Sequence, residues 1–302
     1  MPLTDYVALV SLTSDVPTRS LLQVAAALQK QVTRDFGPIW GLPATVDAFE
    51  DLSSVPSDYY PIVVFGDGDE LKQRLAFEIG EQPAIQLIDQ FEQGWVTGIH
   101  LNAFTRQPFA LVAATDTWTV AASHELLEML ADTYGNRLIG AAHPTLPDVR
   151  VKYLLEVCDP CQSAWYPVNG VRVSDFYTPR YFDPVRVGAS RYSFTGALEY
   201  PLHVLDGGYI TWLDPGVSAL YQWHGPGTEP VLLADFAALA STNVPLRTLV
   251  DSNPVSPRIT ETSLNPAPSV GAFDADTAVS DASRGTARRT AEAIVSLAAT
   301  TW

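Results

Sequence analysis

Two hydrophobic spacings alternate along the first 135 residues. "YVALVSL" (6–12) is a short β-branched apolar run and predicts a buried strand. In the stretch that follows, Leu21, Leu22, Val24, Ala25, Leu28, Val32 and Phe36 recur at helical spacing. Gly37-Pro38 is expected to stop that helix. "ATVDAF" (44–49) and "YPIVVFGD" (60–67) predict two more strands. The stretch 69–91 reads as helical but is interrupted by Gly80 and Pro83. "GWVTGIHLNAF" and "PFALVAAT" read as a strand pair around "TRQ". A helix is predicted over 117–134, with Asp116 as N-cap and Gly135 just past its C-terminus.

Beyond residue 150 the texture changes to short strands and loops dense in Pro, Gly and aromatics. Asn169-Gly170 between "AWYPV" and "VRVSDF" is a hairpin signal. The Trp-rich stretch 209–223 reads as core, with a sugar-binding or groove-lining role as the sharper alternative. Beyond 226 the chain is rich in Pro, Ser and Thr and reads as an extended arm with one short helix, followed by a last helix over 283–301. The expected fold class is α+β, a mixed sheet with packed helices followed by a β-rich, loop-rich lower part. The expected divisions are 1–140, 141–226 and 227–302.

Composition narrows the function. The chain has 302 residues, 47% of them hydrophobic, so it can bury a proper core. Its formal net charge of −16 argues against nucleic acid or an anionic membrane as partner, because both attract basic patches. No basic n-region with a cleavable apolar segment precedes the first strand, and no window reaches the apolar length of a membrane span. The default expectation is a cytoplasmic protein, with export lacking a cleaved signal left open. Two cysteines, Cys158 and Cys161, cannot make a four-cysteine zinc site. The stretch after them reads as strand, whereas a redox pair wants a helix N-terminus.

The chemistry concentrates in "SHELLEML" (123–130). Residues four apart share a helix face, so His124 and Glu128 project together and could hold one cation. Glu125 sits a residue round the helix, placed to take a proton from water at that cation. The bland alternative is a helical His–Glu pair on a wet face. Against it, the flanks of the motif are apolar, and buried charges need partners. "EVCDPC" (156–161) offers a third ligand, Glu156 first and Asp159 next. A mixed site using one cysteine with His124 is a lesser alternative, and an Asp-Pro turn with buried thiols is the structural one. Asp132 is expected to orient a ligand from behind. His100, His143, His203 and His224 read as structural or solvated, although His203 and His224 could approach a cleft.

His124, Glu125, Glu128 and Asp132, followed by Glu156, Asp159 and Cys161, resemble the pattern H-E-x-x-E-x-x-x-D followed by E-x-x-D-x-C of zincin-like metallopeptidases. The resemblance extends more weakly to plant phosphate-induced, exordium-like secreted proteins. "VSDFYTPRYF" (173–182) resembles a block downstream of that cluster in bacterial proteins of this kind. Thr133 departs from the pattern, which usually has Pro there. The resemblance implies a zincin-like fold whose upper subdomain is 1–140, and a zinc hydrolase acting on a peptide or protein. Calcium is the lesser cofactor. Glu125 would be the base, Tyr177 an oxyanion donor, and a strand near 95–104 the edge that pairs with substrate. Read from the residues alone, Tyr177 is first a core aromatic and only second a donor to the site. The alternative function is a non-catalytic metal-binding or interaction module that docks a protein partner.

Overall fold

β1 (Asp5–Ser11), β2 (Ala44–Phe49), β3 (Tyr59–Phe65), β4 (Gly98–Asn102) and β5 (Pro108–Ala113) form one mixed sheet. In the computed structural model, which describes residues 5–94, 96–103, 107–236, 246–251 and 265–266, its order is β2-β1-β3-β5-β4. The first four strands of that order run parallel, and β4 pairs antiparallel to β5 at the edge. Val7, Ala8, Leu9 and Val10 are all fully buried, as expected of a central strand covered on both faces.

Strand alternation divides the two faces. Val63, Phe65, Phe109, Leu111 and Ile99 pack against Leu71, Leu75, Leu87, Ile88 and Phe91 of helices α3 (Gly68–Ile79) and α4 (Glu81–Glu92). Gly80, with φ 97°, separates those two helices, and Pro83 is accommodated in the first turn of α4. The opposite face carries the helix α5 (Trp118–Ala131), which packs on β3, β4 and β5. The intervening positions of the edge strand, Gly98 and His100, belong to that face, opposite Val112 and Ala110 of β5.

Helix α1 (Thr18–Lys30) does not end at Gly37-Pro38 as the sequence suggests. It continues as a π-helical turn over Gln31–Phe36 and then as α2 (Gly37–Trp40). Pro38 falls at the start of α2, where its missing N–H costs nothing, and Gly41 at φ 70° terminates the run. Asp116 is not the cap of α5. Thr117 holds that position without a side-chain hydrogen bond, and the carbonyl of Asp116 accepts from Arg172 instead. The helix also stops three residues before the expected end. The Asp132 carboxylate accepts from the N–H groups of Asn136 and Arg137 at 3.1 and 2.7 Å, which folds the chain away around Gly135.

The chain then builds an antiparallel sheet from β6 (Leu138–Ala142), β7 (Arg150–Leu154), β10 (Ile210–Asp214), β11 (Ala219–Trp223) and β12 (Val231–Asp235), in the order β12-β11-β10-β7-β6. β12 lies in the stretch read as an arm, so the folded part extends past residue 226. Trp212 and Trp223 are buried, in line with the core reading of 209–223. β8 (Ala164–Val168) and β9 (Val171–Ser174) form the hairpin expected at Asn169-Gly170, both with positive φ. β13 (Asn265–Pro266) adds parallel to β8, and a short helix, α6 (Leu246–Asp251), precedes it. The expected helix over 283–301 and most of the expected arm lie outside the described residues. Among the described residues no helix is long and apolar enough to cross a membrane.

Candidate metal centre

The helix of the H-E-x-x-E motif has no wet face. Every residue from Val120 to Ala131 is buried, including His124, Glu125 and Glu128. Ser123 fixes its rotation. Its hydroxyl donates to Gln31 Oε1 at 2.8 Å and accepts from the Ser174 N–H at 3.0 Å, while Gln31 Nε2 donates to the Ser174 carbonyl at 3.0 Å. That buried loop of bonds ties α5 to the π-helical turn and to β9. A full loop of satisfied bonds is rigid, because each member is costly to leave unpaired. It sets the azimuth of the next residue, His124.

His124 Nε2 lies 3.3 Å from Glu128 Oε1 and 3.1 Å from Asp159 Oδ1. Asp159 opens the short 3-10 turn Asp159–Cys161, which follows β7 and runs into β8. Its carbonyl accepts from Tyr209 N–H at 3.2 Å and that of Pro160 accepts from Leu205 N–H at 2.9 Å, so the turn is pinned by the loop ahead of β10. The N–H of Cys158 donates to Glu128 Oε1 at 3.1 Å, bringing the 156–161 segment onto the helix. One ligand atom each from His124, Glu128 and Cys158 lie within 4.8 Å of one another. Cys161 is buried and free, as is Cys158, and strand rather than helix follows them.

Glu156, two residues beyond β7, is buried, and its charge acts on the Tyr177 hydroxyl, as do those of Glu128 and Asp159. Tyr177 is held from several sides. Its N–H donates to the Val157 carbonyl at 2.7 Å, and its ring stacks on Tyr181 at 4.6 Å between centroids. It is a core aromatic whose hydroxyl nevertheless has no hydrogen-bond partner among the described residues. A buried hydroxyl without a partner costs about 1–3 kcal/mol.

His100 was read from sequence as structural, and the structure places it in this cluster. Its Nδ1 lies 3.1 Å from Glu125 Oε2 and 3.9 Å from Glu128 Oε2, with all three side chains buried. No motif links residue 100 to residue 125. The signal available was period-two alternation on a predicted edge strand, which needs the packing partner to be known before it means anything. Gly98, two residues earlier on the same face, supports Glu125 by having no side chain. A Cβ there would lie 2.8 Å from Glu125 Oε1.

The electrostatics follow from burial. Burial alone would depress the His124 pKa, but the charge of Glu128 and hydrogen bonds to Asp159 and Glu128 outweigh it and raise the pKa well above the ordinary value. Burial, then the Glu128 charge, pushes the Cys158 thiol far up, and burial with the Asp175 charge does the same for Cys161. Asp132 serves the chain reversal after α5, and His143, His203 and His224 take no part in the cluster. His143 accepts from backbone N–H groups of Thr145 and Leu146, His203 stacks on Tyr200, and His224 packs against Tyr209.

The donor set suits a borderline cation such as zinc: one imidazole, carboxylates and a nearby thiol. Bonds of about 2.0–2.1 Å arranged tetrahedrally put ligand atoms about 3.3–3.4 Å apart. The 3.3 and 3.1 Å separations around His124 Nε2 fall close to that value. No family model, curated protein or solved structure matches the chain.

Proposed function

We propose that the chain is a zincin-like, zinc-dependent hydrolase acting on peptide bonds, with His124, Glu128 and Asp159 as the metal ligands. The observation that carries this reading is the convergence of two carboxylate oxygens, from different elements, on the single nitrogen His124 Nε2. Both carboxylate oxygens stand at the separation that ligands of one cation would have from this nitrogen. Cys158, whose ligand atom lies within 4.8 Å of those of His124 and Glu128, could complete the coordination.

Zinc, when bound, would polarise a substrate carbonyl and lower the pKa of water. The protein side chains divide the remaining work. Glu125, on the edge-strand side of the helix, accepts the proton from the attacking water and returns it to the leaving amine. Tyr177 donates its unpartnered hydroxyl hydrogen bond to developing negative charge. β4, the last strand of its sheet among the described residues, would offer backbone groups to an extended substrate strand.

One observation favours a second reading, a closed metal-binding module without turnover. His124, Glu125, Glu128, Glu156 and Asp159 are each no more than 5% exposed, and closed sites with all ligands buried are the structural kind. The two readings separate on Glu125→Gln. The hydrolase reading expects zinc still bound at one or more per chain and peptide-library cleavage reduced about 10²–10⁴-fold, the range for a lost general base. Zinc binding with no cleavage by the wild type leaves the module. A wild-type protein that binds no zinc ends both.

A further inference from the structure

Glu128 faces two histidines with its two oxygens. Oε1 is 3.3 Å from His124 Nε2, and Oε2 is 3.9 Å from His100 Nδ1. We propose that Glu128 bridges two cation pockets, and that the second, formed by His100, Glu125 and Glu128, takes a divalent transition-metal ion.

Three observations lead there. First, ligand atoms of His100, Glu125 and Glu128 lie within 4.8 Å of one another, a set distinct from the one around His124 and sharing only Glu128 with it. Second, the measured edges of this set, 3.1 Å from His100 Nδ1 to Glu125 Oε2 and 3.9 Å to Glu128 Oε2, bracket the ~3.3–3.4 Å expected for ligands around zinc. Third, the fold makes room for this arrangement. Gly98 leaves bare the flank on which the Glu125 carboxylate lies, where any Cβ would collide with it. A carboxylate bridging two metals a few ångströms apart is a recurrent arrangement, and imidazole with carboxylates is a donor set that zinc, manganese and iron all accept.

The second pocket regulates the first, and this part of the inference rests on the hydrolase reading. Glu125 cannot serve both as a ligand in the second pocket and as the acceptor of a proton from water. An ion held by His100 therefore withdraws the base, and the enzyme with one metal is the active form.

The test is equilibrium dialysis of the full chain, stripped of metal, against zinc alone, with metal content measured per chain. Wild type is expected to bind two zinc ions in two steps. His100→Ala, and His100→Asn as the variant that keeps a polar side chain of similar bulk, should each retain one and lose the weaker step. His124→Ala should lose the tighter step. A single ion per chain, unchanged by either His100 variant and lost in His124→Ala, overturns the second pocket and leaves the hydrolase reading standing. No zinc bound by the wild type overturns both.

Discussion

Each side chain of the cluster is committed by a neighbour that the motif does not name. Gly98 is the sharpest case. Gly98→Ala inserts a methyl 2.8 Å from Glu125 Oε1 in a buried site and is expected to cost about 1–3 kcal/mol by overpacking. Gly140→Ala is the control, since the nearest atom to its added Cβ is 4.0 Å away, and its effect should stay within about 0.5 kcal/mol. Urea unfolding of both variants measures the difference. Ser123→Ala removes a hydroxyl that bonds Gln31 Oε1 and the Ser174 N–H in a buried network, so a loss of about 1–3 kcal/mol is expected by the same measurement. If Ser123→Ala proves neutral, that network does not fix the rotation of α5.

The helix α5 is the element on which the other parts converge. It reads in sequence as an apolar helix interrupted by charge, and the motif was legible there because i and i+4 spacing is a local property. Its apolar flanks made a mostly buried helix legible, but not that every residue from Val120 to Ala131 is enclosed. A helix covered by a sheet on one side and by β9 on the other has no solvent stripe, so the charged residues are as enclosed as the leucines. Leu127→Ala, at a fully buried position, is expected to cost about 2–5 kcal/mol. A value under 1 kcal/mol would mean that the helix is less enclosed than its packing indicates. The hairpin is the contrasting case. Asn169 and Gly170 have φ of 52° and 81°, the positive pair that a tight two-residue turn requires. That requirement is met within four residues, so it could be read directly from "VNGV".

For the molecule as a whole, the proposed metal and protons are the two levers. Zinc that binds only the folded chain stabilises it by mass action, by about 2.7 kcal/mol at a hundredfold excess over the dissociation constant. A thermal melt with and without zinc checks this, and no shift in the midpoint counts against the metal centre. Acid acts through other groups. Burial lowers the pKa of His143, His203 and His224 below the ordinary 6.5, so the unfolded chain binds protons at these sites more readily than the folded one. Their contribution to stability is intact above 6.5, falls as pH drops through that value, and is fully lost below their depressed values. His124, raised in the folded metal-free protein, acts in the opposite direction, contributing below 6.5 and losing its contribution as pH rises through its elevated value. Comparing wild type with the triple variant His143→Gln, His203→Gln, His224→Gln cancels the His124 term. The triple variant should lose less stability than wild type between pH 7 and pH 5, and equal losses would rule out a role for these three.

Local rules governed what could be read along the chain. Strand and helix periods, the Asn-Gly turn and the i, i+4 pairing of His124 with Glu128 each depend on residues within a turn or two of one another. The mixed α+β architecture followed from their order. Long-range closure governed the rest. Asp159 meets His124 only because the turn after β7 folds back onto α5, and His100 meets Glu125 only because β4 takes the sheet edge on the helix side. The continuation of α1 past Gly37-Pro38 and the recruitment of β12 from the Pro-rich stretch belong with these. They arise from burying apolar surface against partners distant in sequence, and local propensity carries no information about which partner arrives.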